Sequence, residues 1–463
     1  MRFLILFLFV FSLQAQANLS QLAQDYLDNS VDVLEANSGK QKSALDVQSF
    51  QATRTWNLTA SGTKLDANSE SSTTYSVTPY DSTAYSLGVA KAFEWGGTLS
   101  LSNSLTNVKT STLERSGFSQ GLSYSQDLGK NFLGSTFFKD VAVLEKASRA
   151  TEFAQDQRIQ TGLIGLANSY TSAQLNKSLF DLQGEAVERA QKRLELIKGR
   201  VRDGLREQVD LIQARIAMLS AEEQKKSFAI GLSSSMEKMA GYVHRSVKEN
   251  EIIPFQLLED KRGLPEGDIS SNLTIHELKE RLDLVAIQRE KTDLSYLPAI
   301  NLTAAVTNND YDPNRSEAIS KGKLGESQKD VSATLSLSWA IGNAPQKIED
   351  QRVAIDEKLS MAKSEKLTVS LNESSKEFVK QIKLLNETVD SSRKRLSLAK
   401  SALDEYTKLY KRGKADLDQV IRAEEDLILT ERSLVQNISQ RQSLHFTLSS
   451  LYGNLKTYLL KEK

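Results

Sequence analysis

The stretch LYKRGKADLDQVIRAEEDL, residues 409–427, places Gly413 in the middle of what otherwise reads as one long amphipathic helix. A related stretch, GRVRDGLREQVDLIQARIAML at 199–219, surrounds Gly204 in the same way. Glycine reaches left-handed backbone dihedrals without a steric penalty, which suits the tight turn between two antiparallel helices. The two stretches therefore predict two helical hairpins with tips at Gly204 and Gly413.

The residues before each glycine have the pattern of a long helix. From about 137 to 202 and from about 346 to 412, proline is absent, glycine is rare and helix-forming residues dominate. Apolar residues recur at alternating steps of three and four, the spacing of a coiled-coil seam. The first arm, with roughly 66 residues, would be about 100 Å long, which is more than a globular domain needs.

Other segments alternate with period two. VSATLSLSWAI (331–341) and PAINLTAAVT (298–307) each have one apolar face and one face of small polar residues, and 55–61 and 122–128 repeat the pattern. These segments predict strands of about ten residues. A soluble β-sandwich would alternate in the same way, so periodicity alone leaves both architectures open.

Two details favour a transmembrane barrel. The polar faces carry hardly any charge, which suits a water-filled lumen. The three tryptophans, Trp56, Trp95 and Trp339, fall on apolar strand faces, where an aromatic girdle at the membrane interface would use them.

Residues 85–107 form one further candidate hairpin, with a tight turn at Gly96-Gly97. If this hairpin joins the sheet, the first half of the chain supplies four strands and the second half two. Otherwise residues 85–107 form a flap outside the barrel. The polar stretch around 103–118 is predicted to be an outer loop.

The N-terminal stretch MRFLILFLFVFSLQAQA predicts export. It combines a cation at Arg2, an apolar run and a small-x-small ending, as a secretory signal peptide does. The rest of the sequence has no run of about 18 apolar residues, so no helix is expected to span a membrane, and contact with a membrane would require a barrel.

Composition argues against several classes of function. Lys plus Arg and Asp plus Glu both total 59, so no basic excess points to nucleic acid. Cysteine is absent, and the three histidines, His244, His276 and His445, are scattered. No catalytic, metal or cofactor site can be assembled from these residues, so an enzyme is not expected.

The chain also reads as an internal duplication of helix, strands, long helix, tip and helix. When the halves are aligned on the two tip glycines, Ile212 matches Ile421, Ala214 matches Ala423, and Leu211 matches Val420.

These features together resemble the TolC family of outer-membrane efflux proteins. The signal peptide, the duplicated halves, YLPAINLTAAV opening a strand, DLIQA after a tip glycine and the terminal LSSLYGNL carry the resemblance, which covers the whole mature chain. It implies a homotrimer: a shared transmembrane β-barrel, continued by a long α-helical coiled-coil tunnel in the periplasm. Physics supports the trimer separately, because four or six strands cannot close around a lumen and an open sheet edge is costly in lipid.

The expected fold class is therefore mixed, with a trimeric barrel of 12 strands, or 18 if residues 85–107 join, above a helical tunnel. The expected segments are a signal peptide (1–17), N-terminal helices (18–51), a first β-barrel segment (52–136), a first helical hairpin (137–242), an equatorial connector (243–272), a helix (273–296), a second β-barrel segment (297–342) and a second helical hairpin (343–463).

In TolC-like proteins the tips form the periplasmic mouth, which interhelical polar contacts close and an adaptor engages. The resemblance implies these docking residues at the tips: Arg200, Gly204, Leu211, Ala214, Tyr410, Gly413, Val420 and Ala423. Candidates for the entrance gate are Asp210, Asp416 and Asp418. The family's acidic pair after the second glycine is replaced by Gln419 and Arg422, so gating by paired acidic rings is the least supported implication.

The expected function is a passive exit duct of a tripartite efflux pump or a type I secretion system. Its expected partners are further copies of the chain, a periplasmic adaptor, an inner-membrane transporter and outer-membrane lipid. The alternative is a coiled-coil structural or adaptor protein of the periplasm or cell surface, which would need no strands.

Overall fold

The structure is a computed structural model that describes residues 19–67, 80–110, 113–255, 263–326, 329–339, 342 and 344–460. The predicted signal peptide, residues 1–17, lies outside the described residues. The chain divides into two compact units. Unit 1 contains residues from 19–40, 151–277 and 363–460 of the described chain, and unit 2 contains residues from 41–150 and 278–362.

Unit 2 is built on one antiparallel six-stranded sheet whose strand order follows the chain. The strands are β1 (Trp56–Ala67), β2 (Tyr80–Ala92), β3 (Gly97–Thr110), β4 (Glu114–Asp127), β5 (Ala299–Asp312) and β6 (Asp330–Ser338). Residues 85–107 therefore lie in two inner strands, and the alternative of a separate flap is wrong. The loop predicted at 103–118 is also wrong, because most of this stretch extends β3 and β4.

The continuous register between strands sorts the side chains onto two faces. One face is apolar and carries Leu58, Leu87, Val89, Leu99, Leu101, Leu122, Tyr124, Leu302, Val306, Val331, Leu335 and Leu337. The other face carries Thr59, Ser61, Ser86, Ser100, Ser102, Ser123, Ser125, Asn301, Thr303, Thr307, Ser332, Thr334 and Ser336. The period-two pattern of the sequence is thus the two-faced pattern of this sheet.

Hydroxyl groups on the polar face bond to one another across strands. Ser61 and Ser86 lie 2.7 Å apart (Oγ to Oγ), and Ser100 and Ser123 lie 2.6 Å apart. These cross-strand pairs satisfy small polar side chains without fixed charge.

Nine helices of four residues or more accompany the strands in the described part of the chain. They are α1 (residues 19–29), α2 (Val31–Ala52), α3 (Ser135–Arg202), α4 (Gln208–Val243), α5 (Leu273–Ser295), α6 (Arg315–Lys321), α7 (Ala344–Lys411), α8 (Leu417–Leu451) and α9 (Leu455–Leu460). None of the described helices is long and apolar enough to span a membrane.

The two helical hairpins are matched in length. Helices α3 and α7 each have 68 residues, and the helices that return from the tips, α4 and α8, have 36 and 35. Such matched lengths are what an internal repeat of helix, tip and helix requires.

Unit 1 has its main core where α1 packs on α3 and α4. Tyr26, Leu166, Tyr170 and Met239 are fully buried there. Gly162 makes room for the Tyr26 ring, since a Cβ at position 162 would lie 1.8 Å from the Tyr26 hydroxyl oxygen. Burial also raises the pKa of Tyr26 to about 12.

The segment after α4 is held by charged side chains. His244 ends α4 in the left-handed region (φ 52). Arg245 then contacts Asp25 (2.7 Å) and Glu251 (2.8 Å). The hydrogen bond from Arg245 lowers the pKa of Glu251. Part of the predicted connector, residues 256–262, lies outside the described residues.

Candidate functional site

The two tips have nearly the same backbone geometry. Gly204 and Gly413 have φ values of 71° and 72°, in the left-handed region that favours glycine. The amide after each glycine donates to a carbonyl five residues back: Leu205 N to Arg200 O (2.8 Å) and Lys414 N to Leu409 O (2.9 Å). This is the Schellman closure of a helix end. A Cβ at either glycine would meet nothing within 4 Å, so the dihedral angle is what requires glycine.

The returning helices also begin alike. The residue before α4, Glu207, has φ −87° and ψ 159°, and the residue before α8, Asp416, has φ −85° and ψ 159°. At the second tip the Gln419 side chain accepts a hydrogen bond from the Asp416 amide (3.0 Å), as the capping pattern in the sequence predicts.

Several predicted docking residues lie inside the tips. Ala214, Tyr410 and Val420 are buried in one apolar cluster, and Leu211 packs against it. Ala423 is buried as well. These side chains join the first hairpin to the second, so their burial already has a structural cause.

Two arginines lie against the ring of Tyr410. The guanidinium carbon of Arg200 lies 4.8 Å from the centroid of the Tyr410 ring, and that of Arg206 lies 5.2 Å away. Arg206 also contacts Asp210 at 3.8 Å. The predicted residues Arg200, Tyr410 and Asp210 are thus brought together, with Arg206 as a member that the sequence did not indicate.

The other two gate candidates have local partners. Asp418 pairs with Arg422 four residues later (2.7 Å), and both side chains are exposed. Asp416 is exposed at the start of α8. Asp418 therefore lies one turn from the arginine that occupies an acidic position of the family pattern.

An exposed apolar stripe runs from the first tip along α4. Val209, Ile212, Ile216 and Leu219 follow one another at steps of three and four, and each is at least 46% exposed. We call these four residues the α4 stripe. Such spacing is typical of a coiled-coil seam, and no described part of the chain covers these four side chains. The same spacing is present in the sequence at 209–219, but the seams predicted from the sequence lie in the helices before the two glycines.

A groove of about 440 Å³ lies beside the stripe, between α3, α4 and α8. Ile216 and Ala217 line one side, and Ile421 and Ile428 line another. The groove is thus mixed in character, since charged side chains such as Arg193, Asp418 and Arg432 also line it.

Buried charges connect the hairpins above the tips. Glu424 on α8, with a side chain only 7% exposed, contacts Arg189 (3.3 Å) and Arg193 on α3. Glu431, one heptad later, is also buried, and its nearest cation is Lys400 at 3.7 Å. Burial raises the pKa of Glu431. Glu424 thus has two arginine partners, whereas Glu431 has one ion pair at a longer distance.

In unit 2 the notable surface is the apolar face of the sheet. Large apolar side chains on this face are exposed to solvent: Leu58 is 70% exposed, Leu335 is 67% exposed and Val331 is 77% exposed. An exposed apolar face of this kind marks an interaction surface for a membrane or another protein.

The tryptophans lie at one end of the sheet, although not all of them are in strands. Trp56 begins β1, whereas Trp95 lies in the turn between β2 and β3 and Trp339 follows β6. The expectation that all three fall on strand faces is wrong in this respect. The indole N–H of Trp95 donates to the Tyr124 hydroxyl (3.2 Å), and that of Trp339 donates to the Tyr296 carbonyl (3.2 Å).

A two-faced meander joined in sequence to two long helical hairpins with glycine tips defines a class of fold, that of the TolC-like channels. No protein-family model and no curated protein matches the sequence. Solved structures do match, over nearly the whole chain.

The outer-membrane channel OprN superposes with a TM-score of 0.74 at 15% identity, covering 96% of this chain and 92% of that one. VceC, an outer membrane protein of Vibrio cholerae, gives 0.70 at 16% identity, covering 94% and 96%. The MtrE outer membrane channel of Neisseria gonorrhoeae, in its open state, gives 0.71 at 14% identity, covering 95% and 89%. The chain has the TolC-like fold of these structures, which is the fold that the resemblance of the sequence implies.

Proposed function

We propose that the protein is a passive exit duct of the outer membrane, with a large periplasmic part, that works in a tripartite efflux pump or a type I secretion system. The observation that carries this proposal is the sheet of unit 2, whose exposed apolar face suits lipid and whose opposite face of Ser, Thr and Asn suits water. The fold shared with known outer-membrane channels supports it.

Closure of the barrel needs further copies of the chain. The sheet ends at β1 and β6, and six strands are fewer than the roughly eight of the smallest bacterial barrels. An edge in hydrocarbon leaves backbone N–H and C=O groups unpaired at several kcal/mol each. Because the number of strands is even, β6 of one copy can meet β1 of the next antiparallel, as at every other junction. We propose a homotrimer with 18 strands instead of 12.

Cysteine cross-linking tests this closure cleanly, since the chain has no cysteine of its own. Each variant would carry one cysteine on β1 and one on β6, and a series of variants would cover several registers between these strands. We expect covalent trimers in outer-membrane fractions of the variants in which the two cysteines of neighbouring copies meet. A matched pair with the second cysteine on inner strand β3 should give none. A soluble periplasmic monomer would contradict the duct itself, whereas covalent rings of another size would contradict only the trimer.

Pore size separates 18 strands from 12. Barrel diameter grows roughly linearly with strand number, so the larger barrel is about 1.5 times as wide. We expect polymers too large for a 12-stranded lumen to enter the barrel end in planar-bilayer recordings. Exclusion of these polymers from that end would favour 12 strands, with part of each sheet outside the ring.

We further propose that the tips form the periplasmic mouth and dock a helical adaptor, which links the duct to an inner-membrane transporter. The α4 stripe supports this proposal, because it offers exposed apolar side chains at helical spacing beside a groove lined by both apolar and charged residues. The predicted docking residues Leu211, Ala214, Val420 and Ala423 would then shape the tip from inside, while the stripe would make the contact.

A substitution pair tests docking. We expect Ile216→Glu, in the stripe, to abolish co-purification with the adaptor encoded beside the gene, while Ile230→Glu, equally apolar and exposed on the same helix, leaves it intact. Equal loss in both variants would assign the effect to the helix as a whole and not to the tip.

The gate remains a proposal of its own: Asp210 and Asp418 line or latch the entrance, with Asp416 at the start of α8. Their exposed or half-buried carboxylates near the tip turns support it. We expect Asp210→Ala and Asp418→Ala to change single-channel conductance and cation preference. Unchanged conductance and ion preference in both variants would remove the gate role.

A further inference from the structure

One segment of unit 2 packs against the apolar face of the sheet, where a loop that only connects two barrel strands would not lie. The connection from β5 to β6 contains α6, and residues 313–326 fold back onto the sheet; we call these residues the collar. The collar contacts Gln120 and Asn308, which share a row of the register with Asn103. By alternation this row belongs to the apolar face, two residues beyond Leu122 and Val306 along the strands. The collar therefore lies on the outer side of the sheet and not on its polar side.

Hydrogen bonds hold the collar in place. The Asn308 side-chain amide donates to the carbonyls of Lys321 (2.8 Å) and Lys323 (2.6 Å), and the Leu324 amide donates to Gln120 Oε1 (3.0 Å). Gln120 in turn donates to Asn103 Oδ1 (2.7 Å). Asn308 is only 2% exposed. A row of side-chain amides that would be costly against hydrocarbon is thus hydrogen-bonded, and the collar buries its Asn308 member.

The collar has two unlike sides of its own. Its inner side is small and buried, with Ala318 fully buried and Gly322 against the Phe118 backbone. Its outer side is charged. Lys321 is neutralised by Asp312 and Glu317, whereas no ion pair holds the exposed Arg315 within the described residues.

The position of the collar along the strands fits a boundary of the membrane. On β5 the apolar face runs from Ile300 to Val306 before it reaches Asn308. Eight residue steps at about 3.3 Å, tilted by about 40°, give a height of roughly 20 Å, near the ≈ 25 Å of an outer-membrane apolar band. The tryptophans mark the opposite end of the same band. A charged surface costs much less at an interface than in the hydrocarbon.

We propose that the collar rests in the phosphorylated headgroup layer of the outer leaflet and fixes how deep the barrel sits. This inference rests on the proposed function, because it requires the apolar face to meet lipid. Buried Ala318 and the amide row attach the collar to the barrel, and the charged outer side meets the headgroups. The partner is thus a lipid surface, recognised along a rim that repeats in every copy of the chain.

Depth-dependent fluorescence quenching tests the collar in the full-length protein reconstituted in lipid vesicles. The absence of native cysteine allows single fluorophores at Ser320→Cys (collar), Leu335→Cys (apolar face) and Ser336→Cys (polar face). We expect the collar probe to be quenched at least about twofold more by nitroxide on the headgroup than by nitroxide in mid-chain. The Leu335 probe should show the reverse preference, and the Ser336 probe should respond mainly to aqueous iodide.

The three probes keep the two hypotheses apart. If the Leu335 probe is not quenched by lipid nitroxide, the proposed function fails. If that probe behaves as expected but the collar probe responds only to iodide, or only to mid-chain nitroxide, the collar inference fails alone. Ala318→Arg, which should lift α6, is expected to move the Ser320 probe into water, while Ala318→Gly should leave it in place; a Ser320 signal that Ala318→Arg does not move would also overturn the inference.

Discussion

A charge placed on either side of β6 distinguishes the two faces of the sheet most directly. Leu335 lies on the apolar face, opposite Leu302, and Ser336, the next residue, lies on the polar face, opposite Asn301. We expect Leu335→Arg to prevent insertion and Ser336→Arg to leave the assembly intact. The two variants carry the same new side chain at neighbouring positions, so each is the control for the other.

The expected magnitude follows from the depth of Leu335. It lies four residues before Trp339, which is about 10 Å along a tilted strand and thus near the middle of an apolar band of about 25 Å. An arginine facing lipid there costs about 2–4 kcal/mol per copy, or roughly 6–12 kcal/mol for the proposed trimer. Such a cost is comparable with the whole stability of a typical domain.

The assay is the fraction of chain that forms heat-modifiable trimers in outer-membrane fractions, followed by conductance of the purified assembly. Leu335→Arg should abolish the trimer band. Ser336→Arg should keep it and shift ion preference towards anions, because it adds a ring of cations to the lumen. Equal assembly of both variants would refute the assignment of faces, and loss of assembly only in Ser336→Arg would reverse it.

Three further predictions concern the helices and are checked by thermal unfolding monitored by circular dichroism. Glu424→Gln should cost about 3–5 kcal/mol, because two partly buried arginines of α3 lose the charge of their buried carboxylate partner. Glu425→Gln on the exposed side should stay within about 0.5 kcal/mol, and equal effects would contradict a buried, paired carboxylate at Glu424. Glu431→Gln should stabilise at neutral pH. The pKa of Glu431 is raised in the folded state. The free energy of unfolding of the unmodified protein should therefore decrease as pH rises from the ordinary glutamate pKa to the raised value. Glutamine does not titrate, so the variant should lack this decrease. Gly162→Ala should destabilise by about 1–3 kcal/mol through overlap with Tyr26, and a neutral effect would show that α1 adjusts freely.

The sequence was sufficient for features that depend on local pattern. The seam before Gly413 lies on α7 and the capping pair Asp416 and Gln419 begins α8, so each depends on spacing within one helix. The structure contains the capping pair, and most of the seam packs in apolar clusters. The alternation in residues 331–338 likewise needs only the pleat of a strand. Local periodicity and glycine dihedrals are set by neighbours in the chain, so they can be read from it.

Features that depend on distant partners could not be read in this way. The hairpin at 85–107 has the same alternating pattern whether its strands lie inside the six-stranded sheet or form a separate flap. Alternation shows which face a side chain is on but does not identify the neighbouring strand. Helix α6 is too short for periodicity, and its position depends on Asn308 and Gln120 in two different strands. Ala214 and Tyr410 matched the family pattern, but their burial arises from contact between the hairpins.

The lining of the sheet has a consequence for anything that passes along it. On the polar face Ser61 bonds to Ser86, Ser100 to Ser123, and Thr303 donates to Ser125. Hydroxyls that already satisfy one another attract water but grip a passing solute weakly, and they offer it no fixed charge to exchange. In the proposed duct, a molecule that meets these hydroxyls would have a short residence time, so this part of the wall would discriminate little between cargoes.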